Sequence, residues 1–135
     1  MAITRKNMEV EDFLSVMSAN KGLWPEFDSL TDEQKLFVAK VNILTGTAYS
    51  YFKDGEFWGV GGIRYIGVGE AWLIGSPQTR KQLTMEEFNF IKETFENERN
   101  EKNLWRVFAE SRISQTFLKR LGFVEHPGYH IWSRT

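Results

Sequence analysis

At 135 residues, with 41% hydrophobic and 26% charged side chains, the chain has the length and composition of one globular domain with its own core. A net charge of −1 gives no global field for nucleic acid or a membrane surface, and the absence of cysteine excludes disulfides, thiol nucleophiles and thiolate metal sites. The first seven residues lack the apolar core of a signal peptide, and no apolar run approaches a membrane span, so a cytoplasmic protein is expected.

Residues Ala2 to Asn7 are expected to form a first strand. Val10, Phe13, Leu14 and Met17 then recur at helical spacing behind the acidic Glu9, Glu11 and Asp12, and Gly22 follows as a left-handed stop. Leu23 to Phe27 reads as a connector. Thr31, with Gln34 three residues on, forms a capping box for a second helix carrying Leu36, Phe37, Val41 and Leu44. From Thr47 the period changes to two, and the Asp54-Gly55 pair predicts a hairpin between Ala48–Phe52 and Glu56–Ile66. Gly61-Gly62 within the second strand predicts a bulge or a close backbone approach.

Ala71-Trp72-Leu73-Ile74 is a short, continuous apolar run, the pattern of a strand buried on both faces, and it completes a three-strand meander. Gly75, Ser76 and Pro77 stop it, a polar loop follows, and a long helix opens near Thr84 with Met85, Phe88, Ile91 and Phe95 on one side. Glu86, Glu87, Glu93, Glu96, Glu98 and Arg99 read as its solvated face. Strand, small-residue loop and helix start together suit an anion, because helix-start amides point outward unpaired. Leu104–Ala109 is a further strand, parallel to the last because a helix joins them. Ser111–Leu121 is a fourth helix closed by Gly122, and Phe123-Val124 with Tyr129–Trp132 forms a terminal hairpin.

This order, with the string Phe117-Leu118-Lys119-Arg120-Leu121-Gly122-Phe123, resembles the GNAT family of N-acetyltransferases. The expected fold is therefore α/β, a single GNAT-like domain over residues 1–135 with a mixed sheet: an antiparallel meander, one parallel strand pair and helices on both faces. Ala71–Gly75 taken with Phe117–Phe123 looks most like small GNAT-like proteins of short-tailed bacteriophages, a group that includes an internal virion protein needed for assembly. The resemblance implies acetyl-CoA as cofactor. Its pantetheine arm would pair along Leu73, Ile74 and Gly75, its pyrophosphate would meet Gln78, Thr79, Arg80, Lys81 and Gln82, and Ser111 and Phe117 would contact the arm. Arg80 and Lys81 would add charge-assisted hydrogen bonds to the phosphates. The chain departs from the family in two places. The loop has no glycine after Gly75, and Leu118 stands where many members carry a catalytic tyrosine.

Acyl transfer to an amine needs a base for the ammonium proton. Glu110, ending a parallel strand where open α/β sheets bind ligands, is the expected base; Glu70 is a second available carboxylate, and Tyr129 is the expected acid. Ser111 reads first as a helix N-cap, which does not exclude the contact to the arm, and His126, beside Pro127-Gly128, as a turn residue. With only two histidines and no cysteine, a metal site is not expected. Trp24 and Phe27 are read as acceptor contacts, a partner patch or cover for a sheet edge. The partner is an amine acceptor if the chain is an enzyme, and a phage or host protein if it is a non-catalytic assembly protein. The basic pairs Arg5-Lys6, Arg80-Lys81 and Lys119-Arg120 form no aromatic-interleaved stripe, so neither nucleic acid nor membrane is expected.

Overall fold

The computed structural model describes residues 2–66, 68–102, 104, 107–110, 115–125 and 131–134. Its elements are β1 (Ile3–Asn7), α1 (Val10–Ala19), α2 (Pro25–Asp28), α3 (Asp32–Leu44), β2 (Gly46–Lys53), β3 (Glu56–Ile66) and β4 (Val68–Gly75), then α4 (Pro77–Lys81), α5 (Met85–Glu101), β5 (Val107–Glu110), α6 (Gln115–Arg120), β6 (Val124–Glu125) and β7 (Ile131–Arg134). Hydrogen-bonded strand neighbours run β1-β2-β3-β4-β5-β7-β6. β1 is antiparallel to β2, and β7 is antiparallel to both β5 and β6. β4 and β5 are parallel, with α5 in the connection between them.

Local chemistry sets several of these elements. The Thr31 hydroxyl accepts from the Gln34 amide at 3.2 Å, and the Gln34 side chain accepts from the Thr31 amide at 2.9 Å, closing the predicted capping box of α3. Asp54 and Gly55 have φ of 50° and 85°, the double left-handed turn that matches strand twist in a tight hairpin. Gly62 lies hard against the Thr47 carbonyl, so the predicted close backbone approach is present and no side chain fits there.

Contacts gather the chain into two compact units: Met1–Gly62 with Leu73–Thr84, and Ile63–Trp72 with Met85–Thr135. In the first, Phe13, Val16 and Met17 of α1 are buried, as are Tyr51, Trp58 and Val60 of the sheet. Phe13 meets Phe27 edge to face at 5.7 Å, and Trp24 stacks on Phe27 at 5.4 Å. An aromatic buried like Phe13 contributes about 2–3 kcal/mol. Ser50, fully buried, donates its hydroxyl to Asp12 at 2.8 Å. In the second unit, Ile63, Phe95, Val107, Leu118, Leu121 and Phe123 form the core, with Ala71, Phe88 and Phe117 packed against it.

Several sequence expectations change. The run Ala71–Ile74 is not buried on both faces: Leu73 is 37% exposed and its neighbours are half-buried. The polar loop Gln78–Gln82 is the helix α4 with Gln82 as its C-cap. The connector at Leu23–Phe27 contains α2, opened by Pro25 at its first position. On α3 the expected apolar face is only partly turned inward: Leu36 and Val41 are half-buried and Phe37 and Leu44 exposed, while Ala39 and Asn42 are buried. The helix packs on both α1 and β2. The acidic side of α5 is not wholly solvated, since Glu87 and Glu98 are buried and Glu96 pairs with both Arg99 and Arg134. The fourth helix is described only over Gln115–Arg120, and residues 111–114 and 126–130 lie outside the described residues.

Candidate functional site: the far end of β4 and its helix

The ladder between β4 and β5 is short. Gly69 pairs with Val107 and Glu70 with Phe108, and among the described residues it stops there, although β4 continues to Gly75. β5 keeps its other partner to its end, with Ala109 opposite Trp132 and Glu110 opposite Ile131. Among the described residues no β5 residue is paired with β4 beyond Glu70. At its end β4 is held on the β3 side: the Ser76 amide donates to the Trp58 carbonyl at 3.0 Å, and the Ile74 carbonyl lies against Gly59. Backbone groups alternate sides along a strand, so those of Leu73 point away from β3. A strand that runs past its ladder can pair with an extended chain that carries amides.

Beyond Gly75 the chain turns at once into α4. The Ser76 hydroxyl accepts from the Thr79 amide at 3.2 Å and lies 2.9 Å from the Thr79 hydroxyl, which donates to the Trp58 carbonyl at 2.8 Å. Ser76 thus takes one helix-start amide, and Pro77 has none to offer. The side chains of Gln78, Arg80, Lys81 and Gln82 are exposed. The cations carry most of what this end can offer an anion.

Arg80 is held at its tip. Its Nη1 donates to Asn20 Oδ1 at 2.7 Å, while Asn20 Nδ2 donates to the carbonyls of Val16 at 2.8 Å and Gly75 at 3.1 Å. Asn20 is 4% exposed. The sequence marks it only as a helix-end residue, a common place for Asn. Nothing local reveals that its side chain reaches a carbonyl 55 positions further on.

Within the second unit, Glu70 closes the β4–β5 ladder. Its Oε1 is 3.4 Å from Arg64 Nη2, and its side chain is 45% exposed. The Arg64 guanidinium also lies over the Trp72 ring, 5.4 Å from its centroid. Burial lowers the pKa of Arg64, and the Glu70 charge opposes that shift. Phe117 meets Phe88 edge to face at 5.7 Å against the core, so hydrophobic packing accounts for it. Leu118 is buried in that core. Glu110 ends β5 as expected; Ser111 and Tyr129 lie outside the described residues. The structure thus brings Ile74, Gly75, Thr79 and Arg80 together with Asn20 and Trp58, while Glu110 and Phe117 belong to the second unit.

Among the described residues no group of acidic or histidine side chains could hold a metal, and no helix is long and apolar enough to cross a membrane. No protein-family model matches the chain, and no curated protein matches it in sequence. Its structure is similar to a point mutant of the spermidine N-acetyltransferase SpeG from Vibrio cholerae, with TM-score 0.68 and 14% identity over 98% of this chain and 92% of that one. The same enzyme in its dodecameric, intermediate-state structure gives 0.65 at 15%, covering 97% and 90%. A GNAT-family acetyltransferase from Streptococcus pneumoniae gives 0.61 at 14%, covering 98% of both chains. At such identities the likeness establishes the fold, and the fold is that of the GNAT acetyltransferases.

Proposed function

We propose that this chain is an acyl-CoA-dependent N-acyltransferase, acetylating an amine in the cytoplasm. The observation that carries this reading is that, among the described residues, β4 runs on from Glu70, its last residue paired with β5, to Gly75 and directly into α4. The pantetheine arm of CoA is an extended chain with amide groups, which suits that stretch of strand. Arg80 and Lys81, exposed on the last turn of α4, suit its phosphates. When bound, acetyl-CoA supplies an activated acyl group. The chain's own residues orient the arm and take the acceptor's proton. Glu70 is half-exposed where the ladder ends, which suits a base, and Glu110 at the end of β5 is the alternative. Tyr129 is the proposed acid, and Ser111 a further contact to the arm. The segment Met8–Gln34 carries Glu9, Glu11, Asp12, Glu26, Asp28, Asp32 and Glu33 against Lys21 alone, which favours a cationic amine as acceptor.

A thermal-shift titration with acetyl-CoA, with ATP as the phosphate-bearing control, tests the reading. At about a hundred times its dissociation constant a ligand stabilises by roughly 2.7 kcal/mol, on the order of several degrees for a domain of this size. A saturable shift with acetyl-CoA alone is expected, and Arg80→Glu should abolish most of it. No shift at millimolar concentration would remove the cofactor site.

A second reading, a non-catalytic GNAT-fold protein of phage assembly or host interaction, is favoured by the α4 start, where Ser76 and Pro77 leave few amides for phosphate, and by the buried Leu118. It places a phage or host protein on the half-exposed Trp24 and expects no response to acetyl-CoA.

A further inference from the structure

We infer that Asn20 is a positioning residue for the cofactor, fixing the Arg80 guanidinium from the C-terminus of α1. The inference rests on the acyl-CoA reading above. A primary amide has two N–H donors and one carbonyl. Here all are engaged: both donors meet backbone carbonyls, of Val16 and Gly75, and the carbonyl oxygen receives Arg80 Nη1. The network also fixes which way the amide faces. Turned over, it would set its donors against the guanidinium and its oxygen against two carbonyls. Asn20 is buried while Arg80 is exposed, so a rigid group inside the first unit restrains a flexible group at its surface.

That restraint has a use at this helix. An unrestrained arginine loses side-chain freedom when it binds an anion, and a tethered one has already lost part of it. With one α4-start amide taken by Ser76 and Pro77 lacking one, the guanidinium is the principal directional donor there. One Nη1 hydrogen on Asn20 leaves the remaining guanidinium donors for phosphate oxygens. The Val16 and Gly75 carbonyls hold the amide group in place, so its oxygen stays aimed at Arg80.

The test measures binding of CoA and of pantetheine, which lacks the phosphates, by calorimetry to the native chain, Asn20→Ala, Arg80→Ala and the double variant. Asn20→Ala should weaken CoA several-fold, up to about tenfold, as one rotamer-rich side chain must then be ordered on binding, and leave pantetheine within about twofold. In the Arg80→Ala background, Asn20→Ala should cost no further CoA affinity. Equal losses toward both ligands, or a loss that persists without Arg80, would overturn the assignment and make Asn20 a plain structural contact. If Asn20→Ala fails to fold, Asn20→Ser carries the same comparison. Its hydroxyl can donate to the Val16 carbonyl one turn back but is too short to hold Arg80, so a CoA-selective loss supports the inference and an equal loss overturns it. If the native chain binds neither ligand, the acyl-CoA reading itself falls; if it binds both and Asn20→Ala keeps full CoA affinity, only the positioning role falls.

Discussion

The two ends of β4 meet different fates. Its first part, through Glu70, is laddered to β5 and lies beside Ile63 and Val107 of the second-unit core. Its last part, Leu73–Gly75, belongs to the first unit and is tied there to Trp58, Gly59 and Asn20. Apolar composition does not separate them, since Leu73 and Ile74 are as hydrophobic as anything before them. Pairing does. Among the described residues the ladder to β5 ends at Glu70 while β4 stays extended to Gly75, and a strand that runs past its ladder can pair with another extended chain.

That contrast can be broken most sharply at Gly59. A methyl group there would meet the Ile74 carbonyl at 2.8 Å and the Gly75 Cα at 3.1 Å, both backbone atoms that cannot step aside. Gly59→Ala should lower unfolding free energy by about 2–3 kcal/mol in a urea titration and abolish the acetyl-CoA thermal shift. A normal shift would show that the end of β4 plays no part in binding. At the junction, Glu70→Gln should leave stability nearly unchanged but reduce acetyl transfer by about a hundredfold. Undiminished turnover in that variant, with loss in Glu110→Gln, would move the base to β5.

Gly69, on the paired part, offers the matching control. A methyl group there meets only side-chain atoms, Leu104 Cδ1 at 2.9 Å and Ile63 and Val107 methyls at 3.4 Å. Gly69→Ala should therefore cost about 1 kcal/mol or less and leave any cofactor shift in place, because a leucine tip can turn away. A loss as large as that of Gly59→Ala would mean the paired part is as rigidly packed as the last part. The smallest effect is expected at the exposed Leu73, where Leu73→Thr should change stability by no more than about 0.5 kcal/mol. A larger loss would mean that Leu73 is covered in solution by something that binds there.

Much of the fold was legible because it is written over short distances. Thr31 and Gln34 specify a helix start by themselves, Asp54-Gly55 specifies a hairpin, and a strand–helix–strand order specifies a parallel pair. The apolar stripe of α3 misled in part, because Phe37, Val41 and Leu44 keep helical spacing whichever side faces inward. The buried residues of that helix are Ala39 and Asn42. Leu118 and Phe117 were legible as apolar helix residues, yet only the packed core reveals that Leu118 is buried in it and that Phe117 lies against it, edge to face with Phe88.

The site was legible as a place and not as a mechanism. The sequence by itself located it, since Gly75-Ser76-Pro77 after an apolar run must end a strand, and Arg80-Lys81 must lie just beyond. Only the tertiary structure decided that β5 leaves β4 after Glu70, that Ser76 closes the start of α4, and that Arg80 is held by an asparagine 60 residues earlier. Capping, turns and periodicity are energies between neighbours in the chain, which a sequence displays. Where a ladder stops and which side chain a buried amide meets are contacts between distant residues, fixed only when the whole chain has packed.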